Sequence, residues 1–418
     1  MAWGVVVISI QSNNLKDQGR LALPCLMFLS VVAFIVFQTF DLNSAMTNPI
    51  WSEIETLTGT LINHSISVNP NDTQTALMRL MAYGGIFWLA FSLSGNGTST
   101  WKQIRLFTYA SLIYAAYGII VYFSGNETIL WYQKWAYFDA LTSTFVNRNS
   151  YATFAGLGVL SALACLIREL SNLRISSFKD LTGTPTQQLR RLYYIILALL
   201  LTSTALLLTH SRGGVLACSS GIIVFLFGMA AIKRGTKLML TAVAITCFSI
   251  LSFTLVLSGS HIFDRLLATS FDNALRDEVY LLVLRGIDAS PILGWGYGTF
   301  EEAFRLFYSH EIGIWNWDKA HNSYIELIFE LGWPFSLLFF LIFLVFIVQL
   351  LRGVYVRKRN RDLPLLGLGI LTLSAVHAFV DFSHQIPAVA AIFAWLLGLT
   401  LAQSWPTQTQ LRQIQGRK

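Results

Sequence analysis

Charge is what this chain has least of. Only 12% of its 418 residues are Asp, Glu, Lys or Arg, about half the share of an ordinary soluble domain, while 54% are apolar. That balance excludes a water-soluble globule. The four cysteines, Cys25, Cys165, Cys218 and Cys247, each lie inside an apolar run. They exclude a disulfide framework and leave the redox compartment open. No internal repeat, low-complexity tract or soluble linker interrupts the chain, and no cleavable signal peptide is expected, because the first apolar stretch, Trp3 to Ile10, is short and runs into a polar linker with Lys16. The formal charge of +7 does not imply a nucleic-acid partner. The bases come in short clusters between apolar runs, which is the pattern that orients a membrane protein.

What is present is long apolar runs, at about 21–40, 76–93, 106–124, 151–167, 192–209, 214–232, 238–257, 335–351, 363–380 and 387–403. Each approaches the roughly 20 residues that a membrane helix needs. The expectation is an all-α polytopic integral membrane protein of about ten spans and at most twelve, forming a single membrane domain over 1–418. With a cytoplasmic N-terminus, alternate loops collect twenty of the 29 bases, so both termini are predicted inside. The opposite side then holds residues 258–334 as one long periplasmic loop of amphipathic helix and turn. Its acids outnumber its bases, and Arg265, Arg276, Arg285, Arg305 and Lys319 run against the topology bias. Rings make up 14% of the chain, as suits residues at two headgroup interfaces.

Five stretches are candidates to carry chemistry. His210-Ser211-Arg212-Gly213-Gly214 sits between two apolar runs with almost no loop; its guanidinium suits a phosphate, or snorkels from a tight turn. Asn147-Arg148-Asn149 follows the aromatic segment Trp131 to Trp135, and its amides and arginine can hold an anion or sugar hydroxyls, or merely cap a helix. At His321-Asn322-Ser323-Tyr324-Ile325-Glu326 a helix begins, with Asn322 and Glu326 on one face, and Gly332-Trp333-Pro334 then breaks or bends it before the next span. A neutral imidazole at such a place can accept a proton, with Glu326 orienting it. Gly294-x-Gly296-x-Gly298 lacks the strand and spacing of a dinucleotide fingerprint and reads as a flexible turn or hinge. His377, Asp381 and His384 flank a short turn that reads as a hydrogen-bonded corner ahead of a zinc site.

Taken in order, the Asn-Arg-Asn turn, the Ser-Arg-Gly-Gly turn, an arginine upstream of Pro291-Ile-Leu-Gly-Trp-Gly, the His-Asn-x-Tyr-x-Glu helix start and His377-x3-Asp381-Phe382 resemble the O-antigen ligase and O-antigen polymerase superfamily from about 140 to 400. The resemblance implies a fold similar to the GT-C glycosyltransferases and an inverting transfer without metal or cofactor. A glycan would pass from undecaprenyl diphosphate to an acceptor hydroxyl at the periplasmic face of a bacterial inner membrane. The resemblance further implies that Arg148, Arg212 and Arg276, the last with Arg285 as its alternative, grip the diphosphate, and that His321 activates the hydroxyl. Asn147, Asn149, Asn322 and Glu326 would support them. The acceptor is expected to be lipid A core, as in a ligase, with a second lipid-linked glycan, as in a polymerase, as the alternative. A secondary transporter is the competing class; it should show repeats and midplane charges, of which Arg79 is the clearest candidate.

Overall fold

The computed structural model describes residues 19–42, 46–173, 186–232, 278–308 and 317–405. The 238–257 run and Arg276 lie outside them. The described helices are α1 (Ala22–Gln38), α2 (Ile50–Thr58), α3 (Pro70–Leu93), α4 (Gly97–Phe123), α5 (Arg148–Leu173), α6 (Thr186–Leu208), α7 (Arg212–Ile232), α8 (278–289), α9 (Phe300–Phe304), α10 (Ser323–Val356), α11 (Asp362–Ala378) and α12 (Pro387–Ala402). Every other apolar run of the sequence falls in one of these. Among the described residues seven helices are long and apolar enough to cross a membrane, while α11 and α12 are apolar but shorter. Most of these helices are apolar all round yet bury under half of their span, as lipid-facing helices do. The protein is an all-α polytopic membrane protein with one addition, a hairpin of two-residue strands, β1 (Thr128–Ile129) and β2 (Tyr132–Gln133). Strands this short carry no alternation, so hydropathy gave no sign of them.

The described residues divide into two compact units. One holds 86–173, 186–232, 347–377 and 383–405. Its axis is α5, whose membrane window is 83% buried, and α4, α6 and α7 pack around it. Small residues let these helices approach closely: a Cβ on Gly158 would stand 2.7 Å from Ser111, and one on Gly214 2.5 Å from the Ala152 Cβ. The contacts of Gly214 with Ala152 and of Cys218 with Gly156 advance four residues along each helix, so α5 and α7 run parallel. Thr153 meets His377 and Gly156 meets Leu373, so α11 runs antiparallel to α5. At the other end of α5, Arg105 pairs with Glu169 at 2.6 Å and Arg168 with Asp362 at 3.1 Å.

The second unit holds 19–42, 46–85, 278–308, 317–346 and 378–382. Val31, Phe34 and Ile35 of α1 pack with Leu80 and Leu331, and Phe34 stacks on Phe335. The described part of the long loop has its own core, in which Val283, Ile287, Trp295, Phe300, Phe304 and Phe329 are buried. The glycine-rich turn is no hinge. Gly294 and Gly332 both have positive φ, and a Cβ on either would fall within 2.3 Å of backbone from the facing strand of chain. Trp295 and Gly296 donate to the carbonyls of Phe329 and Glu330, and Trp333 donates to that of Pro291. Buried Gln38 completes the knot by donating to the Leu293 and Glu330 carbonyls and accepting from Tyr297 N–H. Backbone pairing that no side-chain pattern announces has turned an expected flexible turn into a pinned one.

Candidate functional site

Arg148 and Arg212 are each the first residue of a helix. Asn147 caps α5: its Oδ1 accepts from the N–H groups of Asn149 at 2.7 Å and Ser150 at 3.4 Å. Ser211 caps α7 by accepting from Gly214 N–H at 3.1 Å, and is itself held by Thr209 Oγ1. Because Gly214 lies against Ala152 and the helices are parallel, the two positive dipole ends stand side by side. The Arg148 guanidinium lies over the Tyr137 ring, 5.4 Å from its centroid, and its Nε makes no hydrogen bond. Arg212 is exposed. Among the described residues no carboxylate pairs with either arginine. Two adjacent helix starts that each open on an arginine can attract an anion. Asn149 is half-buried, and its carbonyl accepts from Thr153. Thr153 also shares a 2.5 Å hydrogen bond with His377 Nδ1, so this member of the expected corner is hydrogen-bonded.

His321 sits one residue before the cap of α10 in a left-handed conformation, φ 52. Asn322 provides that cap, accepting from Tyr324 N–H at 3.0 Å and Ile325 N–H at 3.4 Å. The Glu326 carboxylate accepts from Ala320 N–H at 3.0 Å and stands 3.7 Å from Lys319 Nζ, so it braces the turn in which His321 is displayed. The imidazole is 24% exposed and edge-on to Phe382 and Trp317. Its Nδ1 lies 3.7 Å from Oδ1 of Asp381, a carboxylate buried to 1% exposure. Ser323 Oγ donates to the Asp381 carbonyl and fixes that segment beside the helix start. At that distance the carboxylate faces the ring as a charge and not as a hydrogen-bond partner, since His321 Nδ1 makes no hydrogen bond.

Sequence reasoning missed this pairing. Asp381 was visible only as part of a corner with His377, and sixty residues separate it from His321. Of the arginines in the long loop, Arg276 lies outside the described residues and Arg285 is exposed on α8. Among the described residues no three His, Cys, Asp or Glu side chains are grouped to hold a metal ion.

No curated protein matches the chain. Residues 197–340 match the family model described as O-antigen ligase, a stretch that contains Arg212, Arg285, His321, Asn322 and Glu326. That segment is about a third of the chain; it is similar to the O-antigen ligase family and supports the resemblance to the O-antigen ligase and O-antigen polymerase superfamily, and with it, at a coarse level, a membrane glycosyltransferase-type enzyme.

Proposed function

We propose that the protein transfers a glycan from undecaprenyl diphosphate to a sugar hydroxyl of lipid A core, at the periplasmic face of a bacterial inner membrane with both termini in the cytoplasm. The observation that carries this reading is the pair of parallel helix starts, each opening on an arginine. A diphosphate is a lipid-linked group whose charge suits two guanidiniums and two dipole ends. Arg148 and Arg212 hold it in the ground state and neutralise the charge that grows on it as it leaves. Arg276 is a third candidate for the same task, with Arg285 its alternative.

His321 takes the proton of the acceptor hydroxyl on Nε2. The freed oxygen pair forms the new bond to the anomeric carbon from the side opposite the diphosphate, and the old carbon–oxygen bond breaks with its electrons on the leaving diphosphate. Inversion follows from that geometry. Asp381, 3.7 Å from Nδ1, offsets the charge of the imidazolium that forms. Asn147 and Asn322 act as caps that set the angle of Arg148 and His321, while Asn149 and Glu326 hold the backbone around them. No metal or cofactor takes part in these steps.

The test is transfer in liposomes by purified protein supplied with undecaprenyl-diphosphate glycan, with and without lipid A core. A core-dependent product, insensitive to chelator and lost in His321→Ala, is the expected result. Chain lengthening without core would make the protein a polymerase, and absence of transfer with either acceptor would overturn the enzyme reading.

A further inference from the structure

Helix α4 serves as a ruler of depth in the bilayer. Arg105, paired with Glu169, marks its charged end, and Phe123 is its last residue. At about 1.5 Å per residue Phe123 stands about 27 Å beyond Arg105 and Tyr117 about 18 Å, against a hydrocarbon core of about 30 Å. Leu106, Ile113, Ile120 and Phe123 are between 66% and 74% exposed, so a lipid-facing stripe runs along α4 to its end.

The chain then turns back on itself. Leu130, at the tip of the β1–β2 hairpin, donates its N–H to the Tyr117 hydroxyl at 2.6 Å. The tip therefore lies six residues, about 9 Å, back along the span rather than above its end. The returning segment follows the same course, with Ser143 Oγ donating to the Tyr114 carbonyl at 2.7 Å. What the hairpin presents is uncharged and open: Trp131 is 79% exposed and Trp135 67%, with Leu130 and Tyr132 beside them. Its one charge is turned inward, because Lys134 is 3% exposed and its Nζ donates to Asn126 Oδ1 at 3.0 Å and the Ala140 carbonyl at 2.9 Å. Glu127 and Asp139 lie outside the 128–135 tip.

Exposed to water, such a surface would be an apolar patch that a soluble face rarely shows. Alongside a lipid-facing helix and below its end, the same rings are in the environment Trp and Tyr prefer, the boundary between headgroups and acyl chains. We propose that residues 128–135 are a re-entrant wedge that beds in the leaflet at the Phe123 end of α4, with Trp131, Tyr132 and Trp135 at the headgroup–acyl boundary. The wedge is joined to the arginine pair through Tyr137, whose hydroxyl receives Asn147 Nδ2 and whose ring lies under Arg148. Lipid anchoring thus holds Arg148 at headgroup level, whatever headgroup it meets.

Spin labels placed by Trp131→Cys and Trp135→Cys measure the depth directly. Cys165 and Cys218 are buried and can stay, while Cys25 and Cys247 become Ser. In phosphatidylethanolamine–phosphatidylglycerol liposomes both labels should collide with oxygen more than with a water-soluble nickel chelate, as a label at Ile113→Cys does. Adding Tyr117→Phe, which removes the tip's hydrogen bond, should move the 131 label toward the chelate. Chelate-favoured collision at either position overturns the proposal, and shielding of such a label by added soluble glycan would identify a sugar platform instead.

Discussion

The arginine-bearing unit and the histidine-bearing unit are built on different principles. In the first, α5 and α7 are brought together by Gly156, Gly214 and Ala152, and specificity lies in how closely two helices approach. In the second, turns are tied by backbone hydrogen bonds around Gln38 and by an aromatic core of Trp295, Phe300, Phe304 and Phe329. In lipid no hydrophobic force draws apolar helices together, so shape must do it. In a segment rich in turns, unpaired backbone groups are what the fold must avoid, and burial of rings adds to the backbone ties. The difference teaches what each setting offers to the proposed chemistry: helix ends set by packing for an anion, and a histidine in a left-handed turn held by its neighbours for a proton.

The strongest way to break this comparison is at His321. His321→Ala should lower turnover by about 10²- to 10⁴-fold, the usual contribution of a general base, while titration with undecaprenyl-diphosphate glycan gives an unchanged Kd. A matching loss of donor affinity would show that the two tasks are not divided as argued. Next comes the stability of the histidine-bearing unit. Gln38→Ala leaves the Leu293 and Glu330 carbonyls and the Tyr297 N–H without their buried partner, at a cost of about 3 kcal/mol. A thermal scan in detergent should show a clearly lowered Tm; an unchanged one would mean that the knot is not what holds the turn.

The spans of both units were legible because lipid imposes length and apolarity on each of them, so α1, α3 to α7 and α10 could be marked from hydropathy alone. Arg148 and Arg212 stood out for a related reason: charge beside a long apolar run demands a cause. The turns of the histidine-bearing unit were far less legible. The Gly294–Gly298 turn looked flexible because glycine permits positive φ, yet here that freedom serves to bring two backbones into contact. Asp381 could not be assigned to His321 because the pairing is made by the return of the chain after α11. The hairpin escaped notice because its strands have two residues each and its tip bends at Leu130, φ 54, without the usual Asn-Gly pair.

Within the arginine-bearing unit the comparison sharpens at the pair of helix starts. Arg212→Ala should weaken donor binding by about 10- to 100-fold, as loss of a charge-assisted contact implies, and leave the turnover of bound donor closer to wild type than His321→Ala does. Gly214→Ala tests the packing beneath it. The added methyl meets the Ala152 Cβ, which must move, at about 1 to 3 kcal/mol. The helix starts then part, and donor affinity should fall although no charge has changed. Retained affinity in Gly214→Ala together with a loss in Arg212→Ala would mean that the guanidinium alone suffices and the paired dipoles add little.

The smallest expected effect is at Asp381, because this residue acts through His321 rather than on substrate. Asp381→Asn keeps the size of the side chain and its place beside Nδ1 but removes the charge that offsets the imidazolium. It should lower kcat on the order of tenfold, a few-kT effect typical of one partly shielded charge pair, with KM for both substrates unchanged. A merely structural aspartate would behave differently: its loss would lower Tm and yield, and the surviving folded fraction would turn over at the wild-type rate. Combining Asp381→Asn with His321→Ala separates the two cases. If Asp381 works only by positioning the imidazole, the double variant should be no slower than His321→Ala alone, whereas additive losses would give the carboxylate a role of its own.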